Sequence, residues 1–190
     1  MITHLLKSIN WIDVALGCVF VRIIFSGVKD GLIAEFFKSL GIVLAVFVSL
    51  HYYASFAAWV TLKTHLLWHY WELVIFALLW LAVVFIFKFI KDGVLFLFKI
   101  ETTHQGFDKY AAGVVAVGRA LLVSSMTIFL ILLIHHGFLT RMVFHSYGYK
   151  IAGRADVMTY SFLYNNLVNK LFAIGHFNSA AAQLLRPVVN

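Results

Sequence analysis

The sequence predicts an all-α polytopic membrane protein with about four transmembrane helices and a C-terminal amphipathic helix. Hydrophobic residues make up 63% of the 190 residues and charged residues only 12%, whereas soluble domains have about 45–50% apolar and about 25% charged residues. The mean hydropathy is +0.93. The apolar residues also form runs of about 20 residues, the length that a helix needs to cross a bilayer.

The apolar runs define one membrane bundle over residues 1–135. We predict that its spans lie at 11–27, 36–60, 71–90 and 110–134. The first span is the shortest and carries Asp13 and Arg22 within its apolar run. The stretch 87–109 mixes lysines with short apolar runs, a pattern that indicates a segment lying at the membrane surface.

The tail over residues 136–190 has a different pattern. Between about 156 and 174, apolar residues recur at three-and-four spacing while asparagines fall on the other face. This periodicity predicts an amphipathic helix. Because the helix carries little charge, we expect it to pack on the bundle, on a partner or at the membrane interface.

The positive charge suggests an orientation in the membrane. The net charge is +7, and the basic residues flank the apolar runs, as is typical of membrane boundaries. A nucleic-acid site would need them clustered with stacking aromatics on a soluble face, so no nucleic-acid partner is expected. More lysine and arginine lies beside the loops after spans one and three, which predicts that both termini are outside, in the periplasm of a bacterium.

Charged residues within the apolar runs are the first candidate functional residues, because a charge at the bilayer centre costs about 2.5–3.5 kcal/mol on insertion scales. Asp13 follows Trp11 by two residues. We expect it at the interface, where the helix dipole favours an acid at a helix start. Arg22 is expected to extend its guanidinium toward the cytoplasmic surface.

Arg119 is predicted to lie deeper than these two. It shares a helical face with Asp108 and lies about 16 Å beyond it at the rise of an α-helix. Three interpretations are open: an ion pair with Glu35 at the cytoplasmic start of span two, extension of the side chain to the surface, or a polar pathway for an ion or solute.

Small residues mark two further features. Gly27 and Gly31 could form a close-packing G-x-x-x-G face or a tight turn at the membrane edge. Lys29 and Asp30 lie between them, and for that reason we favour a turn in which Gly27 ends span one. In span four, close approach of a neighbouring helix is predicted by the small residues Gly113, Ala116, Gly118 and Ala120.

No catalytic, cofactor-binding or metal site is predicted. The sequence has no phosphate-binding glycine loop, no nucleophile elbow and no paired carboxylates in one segment. His65 and His69 are one helical turn apart but lack the glutamate and further ligand of a metalloprotease motif. The adjacent His135 and His136 diverge in direction. We interpret these histidines as interfacial residues and Cys18 as a buried small apolar residue.

The opening of the chain resembles the colicin V production protein family, a group of small bacterial inner-membrane proteins. The residues that carry the resemblance are Asn10-Trp11-x-Asp13, an apolar stretch, Gly27-x-Lys29-x-Gly31 and Glu35. A later segment is similar to the family's acid, spaced glycines and basic residue, although its glycine spacing departs from the family pattern. It contains Asp108, Gly113, Gly118 and Arg119. The resemblance covers residues 8–135.

The resemblance implies a four-span bundle that is associated with colicin V production or export and with envelope homeostasis. It establishes no catalytic residue. In some relatives the bundle precedes a periplasmic serine protease domain, in agreement with the C-terminus predicted outside.

Two functional hypotheses follow. The first is a non-enzymatic inner-membrane protein without a cofactor, which assembles in the lipid bilayer with membrane or envelope proteins, such as those of a secretion complex. The second is a small channel or transporter subunit, acting as a homo-oligomer, whose polar path is lined by Arg22, Glu35 and Arg119. A dry pair among these charges favours the first, and a continuous file of water favours the second.

Overall fold

A computed structural model of the chain describes residues 10–64, 68–97, 106–171 and 178–184. Within these ranges the regular structure is entirely helical, which confirms the predicted fold class. Four helices are long and apolar enough to cross a membrane. They are α1 (Trp11–Asp30), α2 (Leu32–Thr64), α3 (Trp68–Leu97) and α4 (Gly106–Leu133).

The helices α2, α3 and α4 extend beyond the predicted spans. The longest, α2, has 33 residues and measures about 50 Å at 1.5 Å per residue, whereas the hydrocarbon core is about 30 Å thick. These helices therefore tilt or project into the headgroup layer. Residues 87–97 of the predicted surface segment continue α3 as one helix, and residues 98–105 lie outside the described part of the chain.

The reversal between α1 and α2 takes place at one residue. Gly31 has φ 81° and ψ 166°, in the region that favours glycine because other residues carry a Cβ. Helix α1 runs through Gly27 to Asp30. The prediction that Gly27 ends the helix is therefore wrong: Gly31 alone reverses the chain, and Gly27 is free to serve in packing.

Helix α4 is the centre of the bundle. It packs against both α1 and α2, while α2 forms its most extensive contact with α3. Contacts between α1 and α2 are few by comparison, so these two helices diverge from the Gly31 reversal and leave an opening beside α4. At the end of the bundle far from Gly31, the core contains a buried aromatic cluster of Tyr53, Phe76 and Phe129.

The tail fills the opening between α1 and α2. After α5 (Gly137–Phe144), the short helix α6 (Tyr147–Ala152) contacts α1 and α4, and α7 (Ala155–Leu163) contacts α2 and α4. A π-helical turn (Tyr164–Val168) and α8 (Asn169–Leu171) continue α7. They occupy most of the predicted amphipathic helix, whose residues 172–174 lie outside the described ranges. Helix α9 (Ser179–Leu184) follows.

Hydrogen bonds of Tyr160 and Asn178 connect this tail to α2. The Tyr160 hydroxyl accepts a hydrogen bond from the Asn178 backbone N–H (3.1 Å) and lies 3.0 Å from His51 Nδ1. The Asn178 side-chain amide donates to the Leu50 carbonyl (2.7 Å). Because Tyr160 is fully buried, these bonds place the inner face of α7 within the bundle rather than on its surface.

Candidate functional site

A buried ion pair joins α2 to α4. Glu35, in the first turn of α2, is completely buried. Its Oε1 lies 2.6 Å from Arg119 Nε, and the Arg119 side chain is 12% exposed. The Nε–H is not aligned for a hydrogen bond, so the contact is an ion pair by distance. The Arg119 Nη2 group also donates a hydrogen bond to the Ile23 carbonyl (3.3 Å). Of the three interpretations left open by the sequence, the structure contains the ion pair.

The pair belongs to a larger network that the sequence analysis missed. Lys38 Nζ lies 3.5 Å from Glu35 Oε2 and also pairs with Asp30. The Asp30 carboxylate accepts a hydrogen bond from the Ser26 hydroxyl (3.1 Å). Acids and bases therefore alternate along the network, and its formal charge is zero. The available signal was the spacing of Lys38, which lies three residues after Glu35 and so on the same helical face.

Gly27 makes room for this network. A Cβ at Gly27 would lie 2.4 Å from the Ala116 Cβ and 3.1 Å from Glu35 Cδ. Glycine therefore lets α1 approach both α4 and the carboxylate, as a close-packing G-x-x-x-G interpretation expects.

The two glycines of span four, Gly113 and Gly118, have different surroundings. Gly113 faces α1, since a Cβ there would lie 3.4 Å from a Val28 methyl carbon. Gly118 has open space around it, so the predicted close approach at Gly118 is wrong. At 100° per residue, Gly118 points about 200° away from Ala116 and cannot share its packing face.

A cleft opens beside the ion pair. Its volume is about 270 Å³, and three lysines and Arg119 lie along it together with Gly41 and Phe87. The lysines are Lys38, Lys88 and Lys91. Lys91 contacts the Asp92 carboxylate at 2.9 Å, and the network balances Lys38 and Arg119. Basic pockets of this kind between transmembrane helices suit anionic lipid headgroups.

Asp13 holds the start of α6. Its Oδ1 accepts the Gly148 N–H (2.7 Å) and its Oδ2 accepts the Tyr147 N–H (3.1 Å). The sequence predicted an acid that serves the start of its own helix, whereas the structure shows a carboxylate that binds the unpaired N–H groups of another helix. The backbone of Gly148 lies close to α1, since a Cβ there would lie 2.5 Å from Leu16 Cδ1 and 3.3 Å from Asp13 Oδ1.

Asn10 makes a second attachment to the tail. Its Oδ1 accepts the Ile12 N–H (3.0 Å) and so caps α1, while its amide donates to the Met142 carbonyl (2.6 Å). The residues Asn10 and Asp13 therefore connect the start of α1 to two positions of the tail.

Replacing Asp13 with asparagine is expected to loosen α6 from α1. An asparagine can accept only one of the two N–H groups, and losing a helix cap costs about 0.5–2 kcal/mol. We expect faster proteolysis within residues 145–157 of the purified protein, at an unchanged rate of cleavage elsewhere. Asp108→Asn is the matched control, since Asp108 takes part in no ion pair among the described residues. Equal cleavage rates in both variants would contradict the capping role.

A second buried acid lies in the tail. Asp156, in the first turn of α7, is fully buried. Its Oδ1 accepts the Val157 N–H (2.7 Å), and its backbone N–H donates to the Ser125 hydroxyl of α4 (3.1 Å). Burial raises the pKa of this carboxyl to about 6, against the opposing effect of the hydrogen bonds from Ser125 and Val157.

The raised pKa of Asp156 predicts a pH-dependent stability. Between about pH 4 and pH 6 the folded state holds a proton that the unfolded state has released, so stability falls as the pH rises through this window. The resulting destabilisation of the folded state above this window is about 3 kcal/mol. We expect Asp156→Asn to have a higher Tm than wild type at pH 8 and a smaller loss of Tm between pH 4 and pH 8. The exposed acid Asp92, changed to asparagine, is the control, and identical pH profiles for wild type and Asp156→Asn would refute the prediction.

The remaining predicted residues lie apart from the network. Arg22 is exposed on α1 and forms no ion pair with any described residue. Asp108 is half-buried in the first turn of α4 without such a partner. Cys18 is exposed, contrary to the prediction that it is buried, because it lies on a face of α1 that does not pack on α4.

The comparison with known protein families now decides the assignment. The model of the colicin V production protein family matches residues 12–157. The chain belongs to the colicin V production protein family. No curated protein and no solved structure matches it.

The match extends the resemblance predicted from the sequence. We expected the colicin V production pattern to end near residue 135, but the matched region continues through α5 and α6 into α7. It therefore contains the tail segment that Asp13 binds. The sequence pattern did not reveal this extension, because helices as short as α5, α6 and α7 show little hydrophobic periodicity.

Three aromatic rings fill the interior of this family member at the end of the bundle away from the ion pair. Tyr53, Phe76 and Phe129 pack against one another with ring centroids 4.9–5.9 Å apart. All three are fully buried, as are Val46 and Leu50. Between the charged network and the aromatic cluster, the described helices bury apolar side chains such as Val46 and Leu50 together with the polar side chains of Ser49, Ser125 and Asp156.

Proposed function

We propose that this protein is a non-enzymatic inner-membrane component that assembles with other proteins of an envelope or secretion system. The observation that supports this proposal is the pairing of its buried charges. Glu35 is fully buried against Arg119 and Lys38, and a residue used for conduction would instead face a water-filled cavity. The family assignment supports a membrane protein of the colicin V production type, and the assembly role is our proposal.

The alternative, a channel or transporter subunit, requires a polar path lined by Arg22, Glu35 and Arg119. Arg22 is exposed on α1 and forms no ion pair with Glu35 or with any other described residue. Above the pair, the path would have to pass the packed rings of Tyr53, Phe76 and Phe129. These positions favour assembly over conduction within one chain.

We further propose that both termini face the periplasm. Basic residues near the Gly31 end of the bundle support this orientation, because short cytoplasmic loops are enriched in lysine and arginine. Described residues of this group include Lys29, Lys38, Lys88, Lys91 and Lys109. The start of α1, the end of α2 and the start of α3 lie toward the opposite end.

Purification from the native membrane in a mild detergent tests the assembly proposal. The full chain carries a C-terminal tag, and an unrelated four-span protein with the same tag is the control. We expect co-purification of envelope proteins in a fixed ratio, seen by mass spectrometry, and a native mass above that of the chain alone. Recovery only as a monomer or homo-oligomer would contradict the proposal.

A further inference from the structure

Three potential metal ligands meet at the end of the bundle opposite the ion-pair network. His69 and Glu72 lie in the first turns of α3, and His135 lies in the connection from α4 to α5. One ligand atom from each residue lies within 4.8 Å of the other two. His69 Nδ1 is 3.9 Å from Glu72 Oε2, and the two imidazole rings have centroids 4.4 Å apart. The donor set is therefore two imidazoles and one carboxylate.

The conformation of His135 is a second and independent observation. Its φ is 54°, the only positive φ among the described residues other than glycine, a conformation that such residues rarely adopt. Its Nδ1 lies 2.7 Å from the Leu133 carbonyl oxygen. Since a carbonyl only accepts, the neutral ring that makes this bond carries its proton on Nδ1 and its lone pair on Nε2. Metal-binding histidines are oriented in the same way, with one ring N–H donated to a carbonyl.

The exposure of the three residues suits an ion that enters from water. The Glu72 side chain is 12% exposed and the His69 side chain 64% exposed, so a buried carboxylate lies beneath an accessible imidazole. Two histidines and a glutamate with room for water form a ligand set that zinc uses in open sites. A hard ion such as Mg²⁺ would prefer oxygen ligands alone.

We propose that His69, Glu72 and His135 bind one divalent transition-metal ion of the zinc class. The ion links the start of α3 to the end of α4. These two helices make few direct contacts, so the ion joins parts of the bundle that are otherwise connected mainly through α2. The proposal does not depend on the assembly role, because it concerns a different end of the molecule.

The sequence analysis missed this site for a clear reason. His69 and Glu72 have the spacing i, i+3, which places them on one helical face, and this is the signal that was available. The third ligand lies in a distant segment, and only the fold brings His135 to α3. Taken singly, each histidine has the appearance of an interfacial residue.

Equilibrium metal binding to the full-length protein tests the proposal. The protein is purified with a tag that contains no histidine, stripped with a chelator and reconstituted in lipid nanodiscs. Zn²⁺ is then titrated in competition with a chromogenic chelator. We expect one tightly bound ion per chain and at least about tenfold weaker binding in His69→Ala, Glu72→Gln and His135→Ala, since even the loss of an outer-shell partner weakens metal sites about 10–100-fold.

The neighbouring histidine provides the matched control. His136 is exposed, lies next to His135 and is not part of the cluster, so His136→Ala should bind Zn²⁺ as wild type does. Co²⁺ gives a second readout, because a four-coordinate protein-bound ion absorbs visible light far more strongly than the hydrated ion, and this stronger absorption should disappear in the three cluster variants. Elution volume and Tm without metal show that each variant is folded. Absence of saturable binding to wild type, or equal binding in wild type and His135→Ala, would overturn the proposal.

Discussion

Replacing Glu35 with glutamine is expected to destabilise the protein by about 3–5 kcal/mol. The substitution keeps the shape of the side chain but leaves Arg119 buried without its counter-charge, and a broken buried ion pair has a cost of this size. Arg119→Gln should have a similar effect, because it leaves the buried Glu35 carboxylate with only the Lys38 ammonium, 3.5 Å away, as a counter-charge. The measurement is the Tm and the yield of monodisperse protein in detergent.

The exchange variant, Glu35→Arg with Arg119→Glu, keeps both charges but reverses their positions. It therefore tests whether the contact between opposite charges stabilises the protein. We expect it to recover part of the lost stability, because the opposite charges are again in contact. Recovery should be incomplete, since Lys38 would then lie beside an arginine. Asp108→Asn on α4 serves as the control and should behave as wild type. A wild-type Tm for Glu35→Gln, or an exchange variant no better than the single variants, would contradict the structural role of the pair.

Gly27→Ala is expected to be the second most disruptive change. The added methyl would lie 2.4 Å from the Ala116 Cβ and 3.1 Å from Glu35 Cδ, so α1 must move away from α4 and from the ion pair. Overpacking of this kind costs about 1–3 kcal/mol. We expect a lower Tm and a larger effect still for Gly27→Val, which adds two further methyl groups.

A second glycine on the same helix is the matched control for Gly27. Gly17 has no atom within 4 Å of its Cβ position, so Gly17→Ala meets no obstacle. Alanine has the higher helix propensity, by about 1 kcal/mol, and Gly17→Ala should be as stable as wild type or slightly more so. Equal Tm values for Gly27→Ala and Gly17→Ala would show that the close approach is not required.

The fold class and one contact of the site could be predicted from the sequence. Hydropathy identifies the four spans because each must be apolar over a length that the bilayer sets. The contact between Glu35 and Arg119 was one of three interpretations, reached because a deep arginine needs either a partner or a route to the surface. The structure shows the partner.

Other parts of the site depend on tertiary contacts that no local pattern encodes. Lysine and aspartate at the membrane edge have the same appearance whether paired or solvated, so the roles of Lys38 and Asp30 could not be assigned. The function of Gly27 depends on Ala116, which lies on another helix. The bond from Asp13 to α6 joins residues far apart in the chain, and so does the meeting of His135 with His69.

The two attachments of the tail change the interpretation of the opening motif. From the sequence alone, Asn10 and Asp13 are interpreted as residues that serve only the start of their own helix. In the structure they bind Met142, Tyr147 and Gly148, which holds the tail in the opening between α1 and α2. We infer that Asn10 and Asp13 serve the packing of the tail in this chain.

Accessibility of the interior to water is the most direct test of a closed bundle. In a Cys18→Ser background, single cysteines are placed at Val46 and Ser49, which are fully buried beyond the ion pair, and at the exposed Thr64 as a positive control. Membrane vesicles are treated with a membrane-impermeant thiol reagent from either side. We expect modification at position 64 alone, whereas modification at positions 46 and 49 would show a water-filled path through the bundle and refute the closed interior.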